Sequence, residues 1–231
     1  MKNFRYIGLI LVLLVFGLLF IPKIVDRIAN NTQVESNRSV PAQPLAYIKL
    51  NGTAKTVPEF LMLNQDSLPI GNEDYIGKVY VAEFFFTRCP TICPIMNKNM
   101  KVLDDHFGDR LDFGIASFTI DPEYDTPSVL KKYAEDYGVK SQNWHFLTDK
   151  KSVIYELANA GFSIFAGINP AVGGGFEHQG YFALIDKRGY IRSRVDQFGN
   201  PIVYYSGLDR EDQQTQGVEM LLEDIELLLK E

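Results

Sequence analysis

Cysteine and histidine are scarce in this chain, which has two cysteines and three histidines among 231 residues. Two cysteines cannot form the disulfide framework of a small secreted protein, and they cannot supply a zinc site made of four cysteines. Runs of basic residues and internal repeats are absent, and the formal net charge is −6. Nucleic-acid binding needs grouped Lys and Arg side chains, so the composition argues against a nucleic-acid partner.

Long apolar runs are equally rare, and residues 6–22 (YIGLILVLLVFGLLFIP) form the one long enough to consider as a membrane span. A helix over this run would be about 25 Å long, near the lower limit for a membrane span. Neither a small-residue cleavage site nor a cysteine for lipid attachment follows it directly. We therefore predict an uncleaved membrane anchor over residues 1–25, a flexible polar linker over residues 26–45, and one folded domain over residues 46–231.

The predicted domain alternates between strand and helix patterns. Residues 79–86 (VYVAEFFF) and 113–120 (FGIASFTI) are nearly continuous apolar runs, typical of buried strands. The other predicted elements, in chain order, are a hairpin over 58–70, a helix containing Met96, Met100, Leu103 and Phe107 on one face, a helix from Thr126-Pro127 to Tyr137, a strand over 144–147, a helix over 151–160, strands over 181–186 and 190–194, and an amphipathic helix from Val218 to Leu229. This order predicts an α/β domain with a central sheet flanked by helices.

Both cysteines lie where a predicted strand meets a predicted helix, in the segment from Phe86 to Pro94 (FTRCPTICP). The dipole at a helix N-terminus favours the thiolate, which is the form that binds metal or attacks a disulfide. One helical turn separates Cys89 from Cys93, which puts their Cα atoms about 6 Å apart, near the usual range for a disulfide. The same approach suits two sulfur ligands on one metal ion. The spacing alone leaves open a metal site, a redox-active pair and a structural disulfide.

Three further segments make the cysteine motif part of a longer pattern. They are Ser117 to Pro127 (SFTIDPEYDTP), Trp144 to Thr148 (WHFLT), and His178 followed by Leu184-Ile185-Asp186. Together with the cysteine segment they resemble the Sco/SenC family of copper-binding cytochrome c oxidase assembly proteins, over about residues 57–194.

The resemblance carries expectations of fold, cofactor and partner. It implies a thioredoxin-like fold with a mixed sheet, and one copper ion, Cu(I) or Cu(II), bound by the thiolates of Cys89 and Cys93 and the imidazole of His178. It also implies service to the dinuclear copper centre of cytochrome c oxidase, with the copper-bearing subunit or another copper chaperone as partner. The domain is then expected to face the periplasm from the inner membrane.

Two departures from the family pattern are visible. The histidine stands in Glu177-His178-Gln179, where the family often has Asp before the histidine and Ser or Thr after it. Residues 196–206 (DQFGNPIVYYS) resemble an insertion between the last strand and the terminal helix. The first departure changes the residues on either side of the expected histidine ligand. The second changes the surface that a partner protein would contact.

Other candidate residues have simpler interpretations. Asp121 follows a strand and is a candidate for tuning the thiols, although a turn with Pro122 explains it equally well. We expect Asp125 to support the helix start at Thr126, Met96 and Met100 to pack in the core, and His106 and His145 to lie at the surface. The glycines at 173–175 precede a strand rather than a helix, which argues against a phosphate-binding loop.

Two functions from different classes follow. The first is a metallochaperone that takes up copper on the reduced pair and passes it on. The second is an enzyme, a thiol–disulfide oxidoreductase or thiol peroxidase with Cys89 and Cys93 as its catalytic pair, which would keep the oxidase ligands reduced. An inert structural disulfide is the third and simplest possibility.

Overall fold

The computed structural model describes residues 15–18, 20–22, 44–196, 198–209 and 215–231. Residues 15–18 and 20–22 are helical. Within the described ranges, no helix is both long enough and apolar enough to cross a membrane. Most of the predicted anchor and linker lies outside these ranges. Leu45, which we assigned to the linker, is buried in the folded domain.

The centre of the domain is a mixed seven-stranded sheet. The strands are β1 (Ala46–Tyr47), β6 (Val79–Phe85), β7 (Phe113–Thr119), β8 (Trp144–Leu147), β11 (Tyr181–Ile185), β12 (Ile191–Ser193) and β13 (Tyr205–Ser206). They lie in the order β1, β12, β11, β6, β7, β8, with β13 also paired to β11. Strands β6, β7 and β8 are parallel, whereas β1, β11, β12 and β13 pair in antiparallel fashion. The mixed sheet confirms the predicted α/β class.

The described residues also form three short hairpins that are separate from this sheet. They are β2 (Lys49–Leu50) with β3 (Thr53–Ala54), β4 (Leu61–Leu63) with β5 (Pro69–Gly71), and β9 (Ala166–Ile168) with β10 (Phe176–His178). The β4–β5 pair confirms the hairpin predicted over 58–70. The β9–β10 hairpin was not predicted, and His178 is its last strand residue.

Helices cover both faces of the sheet. They are α1 (Cys93–Phe107), α2 (Pro127–Asp136), α3 (Lys151–Glu156) and α4 (Gly217–Lys230). Helix α3 continues into a π-helix, a wider helical turn, over Leu157–Phe162. Every residue of β6 and β7 is buried, because helices pack on both sides of these strands. The helices begin and end within a few residues of the predicted bounds, apart from the wider turn that replaces the last part of the helix predicted over 151–160.

Alternating residues of β6 mark the two faces. The ring of Phe84 packs against Phe162, 5.5 Å between centroids, on the face covered by the turn after α3. The ring of Phe85 packs against Tyr133 of α2 at 5.6 Å, on the opposite face. Tyr133 also receives a hydrogen bond from Asn97 of α1, so α1 and α2 share this second face.

The terminal helix is attached by two buried arginines from β12 and the residue after it. Arg194 donates to both carboxylate oxygens of Asp224 in α4, each at 2.8 Å. Arg192 donates to Asp186 and to Glu231, each at 2.9 Å. Tyr205 of β13 also donates to Asp224, at 2.7 Å, so the end of the 196–206 segment belongs to this attachment.

Candidate metal centre

The cysteine segment leaves the end of β6 and turns directly into α1. The backbone N–H of Cys89 donates to the carbonyl of Phe86 at 3.2 Å, which closes a turn before the helix. The N–H of Cys93, the first residue of α1, points at Cys89 Sγ at 3.5 Å. A free N–H at a helix start stabilises a negative sulfur, as the sequence predicted.

His178 approaches the cysteines from the β9–β10 hairpin. Its Nε2 lies 3.1 Å from Cys93 Sγ. Its Nδ1 lies 3.3 Å from the carbonyl oxygen of Gln179, which accepts a hydrogen bond from Nδ1 when that nitrogen carries a proton. In the neutral tautomer with the proton on Nδ1, the lone pair of Nε2 is available to a metal ion. Histidine ligands of metals commonly hold their second nitrogen in this way.

The hairpin lies against the cysteine segment through aromatic and glycine contacts. The ring of Phe86 packs edge-on against His178 and also contacts Phe176, with centroids 6.0 and 5.4 Å apart. A Cβ on Gly174, whose φ is +88°, would meet the Phe86 ring at 2.7 Å. The absence of a side chain at this position lets the hairpin approach closely enough to place His178.

Ligand atoms of Cys89, Cys93 and His178 all lie within 4.8 Å of one another. No other group of three or more such side chains occurs in the described part of the chain. All three residues are buried, with 8%, 1% and 7% of their surfaces exposed, and the cysteines are free thiols. Two soft sulfurs and one imidazole are the donors that copper prefers, so the residues present fit this metal.

The two thiols differ in acidity. The hydrogen bond from Cys93 lowers the pKa of Cys89 to about 3, with further help from His178 and from the Cys93 N–H, against the opposing effect of burial. Burial raises the pKa of Cys93, and the neighbouring Cys89 sulfur raises it further. The reduced pair thus consists of one thiolate, at Cys89, and one buried thiol, at Cys93.

The carboxylate of Asp121 makes its side-chain hydrogen bonds to the cysteine segment's arginine rather than to a sulfur. Its carboxylate pairs with the guanidinium of Arg88, the residue before Cys89. The same guanidinium stacks on the ring of Tyr124, 4.0 Å from its centroid. Asp121 therefore fixes the position of Arg88 in the cysteine segment. In the described structure it makes no hydrogen bond to either thiol.

Asp125 has a different task from the one predicted. Instead of capping the helix at Thr126, its buried carboxylate accepts hydrogen bonds from the N–H of Thr87 at 3.1 Å, and from the hydroxyls of Thr87 and Thr119. The prediction was wrong because the carboxylate has three donors available across the strand ends. Asp125 thereby ties the cysteine segment to β7.

The remaining candidates behave as follows. Met96 and Met100 are fully buried, which confirms the packing prediction. His106 is exposed near Glu226. His145, which we expected at the surface, is half-buried beside Tyr75 and Asn64, and burial lowers its pKa. It belongs to the packing under β4 and not to the centre.

One buried polar residue near the centre was overlooked. Glu83 lies in β6 with no exposed surface, and Ser117 donates to its Oε1 at 2.7 Å. Burial raises the pKa of Glu83 to about 7. The signal was present in the sequence, because Glu83 is the single charged residue in the run VYVAEFFF.

Comparison with known proteins identifies close relatives. The profile of the SCO1/SenC family matches residues 48–211. The SCO1 protein homolog of Bacillus subtilis is 36% identical over 137 residues, covering 58% of this chain and 70% of that protein. A SCO1/SenC family lipoprotein from Bacillus anthracis superposes with a TM-score of 0.63 at 30% identity, covering 75% of this chain and 95% of that one.

Two further solved structures share the fold. BsSco, described with a disulfide switch as a member of the Sco family of cytochrome c oxidase assembly proteins, has a TM-score of 0.61 at 30% identity, covering 76% of this chain and 94% of that one. ScoI of Bradyrhizobium japonicum, solved with copper bound, has a TM-score of 0.59 at 18% identity, covering 75% and 99%. The second similarity concerns the fold alone. The thioredoxin-like α/β fold is thus that of Sco proteins.

Proposed function

This chain belongs to the SCO1/SenC family, and on that premise we propose that it is a copper metallochaperone that binds one copper ion through Cys89, Cys93 and His178. The observation that carries the proposal is the convergence of two sulfurs and one imidazole nitrogen within 4.8 Å in a buried pocket. Soft sulfur ligands suit Cu(I), and imidazole also serves Cu(II).

The geometry suits uptake and release better than permanent storage. Three protein ligands leave a coordination position open, as in metal sites that exchange a ligand. Cys89 retains 8% of its surface, whereas Cys93 retains 1%, so an incoming partner reaches the centre from the side of Cys89. The expected receiver is the copper-bearing subunit of cytochrome c oxidase or another copper chaperone, by analogy with the Sco family of oxidase assembly proteins to which BsSco belongs.

The setting of the domain is part of the proposal. Residues 6–22 contain no charged side chain, and we assign them as a single-pass anchor in the inner membrane with the domain in the periplasm. The B. anthracis relative is described as a lipoprotein, which is likewise consistent with a membrane-attached domain. An extracytoplasmic location agrees with a thiol pair whose function depends on its redox state.

Copper titration of the full-length chain in detergent tests the proposal. Reduced protein is titrated with Cu(I) under anaerobic conditions against a chromogenic chelator, beside Cys89→Ser, Cys93→Ser and His178→Ala. His106→Ala is the matched control, because it removes an exposed imidazole outside the centre. We expect one tightly held copper, lost in either serine variant, weakened in His178→Ala and unchanged in the control. Equal binding by wild type and Cys89→Ser would disprove the proposed ligand set.

A thiol–disulfide oxidoreductase is the second candidate function. The observation that favours it is the asymmetric pair, because a thiolate at Cys89 attacks a target disulfide and a buried thiol at Cys93 resolves the mixed disulfide. Such an enzyme does not need an imidazole metal ligand. Turnover on a model disulfide that survives His178→Ala, while copper affinity falls, would separate the two activities.

A further inference from the structure

The end of the sheet opposite the metal centre has a surface of its own. Strands β6 and β7 begin at this end and run toward the cysteine segment, whereas β11 ends there, because it pairs with β6 in antiparallel fashion. The seven residues of β6 separate the two ends by about 20 Å. The β2–β3 hairpin belongs to the same end, since Ile48, the residue before β2, donates to the carbonyl of Ile191 at the start of β12.

Four basic residues from separate parts of the sequence lie at this end, and we call them the basic patch. Lys187 and Arg188 form the turn between β11 and β12, and the carbonyl of Lys187 accepts from the N–H of Gly77, which brings Lys78 beside the turn. Lys49, the first residue of β2, is exposed. The sequence contains no basic run, so the fold itself concentrates this positive charge.

Acidic groups near the basic patch are for the most part paired inside the domain. These ion pairs are Asp186 with Arg192, Glu231 with Arg192, Asp112 with Arg110 and Glu226 with Lys230. Glu73 and Asp74, on the turn before β6, are exposed, and Asp74 accepts the N–H of Gly71. Arg188 keeps 65% of its side chain accessible. The positive charge of the patch is therefore available to a partner, although the whole chain carries −6.

Tyrosine rings and exposed apolar side chains accompany the basic patch. The rings of Tyr47 and Tyr190 pack edge-on with centroids 5.4 Å apart, and the guanidinium of Arg188 lies 5.8 and 5.4 Å from these centroids. Leu50 of β2 and Ile76, next to the glycine that contacts the β11–β12 turn, are 59% and 71% exposed. Lys, Arg and Tyr around exposed Leu and Ile are the residues typical of a protein surface that lies on a membrane.

The proposed anchor supplies a membrane for this surface to meet. Residues 26–43 separate the apolar run from the folded domain, and a chain of this length can span up to about 60 Å. Such a span does not by itself decide which end of the domain faces the lipid. Anionic headgroups attract Lys and Arg side chains near the surface, so contact with the basic patch would decide it.

We propose that the basic patch binds the anionic phospholipid headgroups of the membrane that holds the anchor, with Leu50 and Ile76 inserted between them. The metal centre then faces away from the lipid, about 20 Å from the membrane-bound end, where a partner protein can reach Cys89. The inference rests on the anchor in the proposed function and is independent of copper binding.

Energy transfer from Trp144 to labelled lipid tests the contact. Trp144 is the single tryptophan of the chain, and it lies near the basic end of the sheet because it pairs with Ile115, the third residue of β7. Full-length protein, reduced and free of copper, is reconstituted into nanodiscs of phosphatidylcholine that contain a dansyl-labelled headgroup lipid. A second set of discs also contains phosphatidylglycerol. Alkaline carbonate extraction of liposomes that carry the protein tests the anchor separately.

We expect more energy transfer in the discs with phosphatidylglycerol, and a decrease when salt is added. The triple variant Lys49→Gln/Lys78→Gln/Arg188→Gln should lower the ratio of lipid-bound to free domain about 100-fold, or about fivefold for each charge removed. The matched control removes three exposed lysines outside the patch, Lys131, Lys132 and Lys150, by the same substitution, and its energy transfer should equal that of wild type.

A second variant tests the apolar part of the contact. Leu50→Ser combined with Ile76→Ser should lower the energy transfer and leave its salt dependence in place, because the basic residues remain. Circular dichroism of every variant should match that of wild type, since all the substituted side chains lie at least partly at the surface.

Two results would overturn the inference: equal energy transfer in the two lipid compositions, or an equal loss in the patch variant and its control. The first would leave an acidic protein surface as the occupant of the patch. Extraction of the protein by carbonate would reject the anchor and the orientation that rests on it, whereas a retained protein without lipid-dependent transfer would reject the basic patch alone. Failed copper titration with lipid-dependent transfer would reject the metallochaperone function and support the membrane contact.

Discussion

Two of the regions in which the described structure buries ionisable side chains, the terminal helix and the surroundings of the metal centre, differ in how these groups are paired. At the terminal helix, Arg194 is fully buried against Asp224, with Arg192, Asp186 and Glu231 in a second set of ion pairs. Near the metal centre, Oε2 of Glu83 has no hydrogen-bond partner among the described residues and no opposite charge is hydrogen-bonded to this side chain, and Cys93 is a buried thiol. Arg194 also has one nitrogen, Nη1, without such a partner there, but its other nitrogens bind carboxylates. In the first region each of these buried charges lies beside an opposite charge. The second region holds groups that can change their protonation state.

The difference has a physical basis. In a buried ion pair each charge favours the ionised form of the other, so the pair stays in one state. A buried acid without a counter-ion is shifted toward neutrality, so it responds to pH and to nearby chemistry. The terminal helix thus serves structure and the centre serves reaction. Each of the following experiments tests whether the two regions really differ.

The largest effect is expected at the terminal helix. Arg194→Met leaves Asp224 buried without its counter-charge, which should lower the free energy of unfolding by about 3–5 kcal/mol. Unfolding in guanidinium chloride, followed by fluorescence of Trp144, measures the loss. Combining it with Asp224→Leu should restore most of the stability, and copper stoichiometry should not change in either variant. A loss below about 1 kcal/mol in the single variant would contradict the structural role.

Glu83 should show a pH-dependent effect on stability. Its pKa rises from 4.5 in the unfolded chain to about 7 in the folded domain, so the folded state holds the proton more tightly. Wild-type stability should therefore fall as pH rises from 4.5 to 7 and level off above that. Glu83→Gln should remove about 3 kcal/mol of this dependence. Unfolding at pH 5 and pH 8 measures it, with Glu177→Gln as control, and parallel curves for wild type and Glu83→Gln would refute the assignment.

The hairpin that carries His178 should respond to a small change in shape. Gly174→Ala adds a Cβ that meets the Phe86 ring and also strains a positive φ, so we expect about 2–3 kcal/mol of destabilisation. Gly175→Ala is the matched control, because its φ is +80° but its Cβ would meet nothing. It should cost about 1 kcal/mol. Copper affinity should fall in Gly174→Ala and stay unchanged in Gly175→Ala. Equal copper affinities in the two variants would show that the contact with Phe86 does not position His178.

The smallest effect on stability is expected at Arg88. Only the arginine of its ion pair with Asp121 is exposed, with 49% of the Arg88 side chain and 3% of the Asp121 side chain accessible. Because glutamine can still donate a hydrogen bond to the buried carboxylate, Arg88→Gln should cost about 1 kcal/mol. The same denaturation assay measures it beside Arg194→Met. A loss of stability as large as that of Arg194→Met would contradict the difference between the buried ion pairs at the terminal helix and the partly exposed ion pair beside the metal centre.

Much of the fold was predictable because its elements are locally encoded. Continuous apolar runs predicted β6 and β7, helical spacing predicted α1 and α4, and Thr126-Pro127 predicted the start of α2. The β9–β10 hairpin was missed, because its strands are three residues long and carry no clear alternation. The strand at Tyr205–Ser206 was missed for the same reason.

The sequence by itself determined which residues are candidates for the chemistry: two cysteines one helical turn apart at a strand–helix junction, a family pattern with a distant histidine, and an α/β order of elements. Only the tertiary structure decided the rest. It brings His178 to Cys93 across 85 residues, turns Asp125 toward Thr87 rather than its own helix, and seals Glu83 in the core. The spacing of residues along the chain predicts which side chains are neighbours within one helical turn. Distances between segments far apart in the sequence, and the pKa values of buried groups, depend instead on how the whole domain packs.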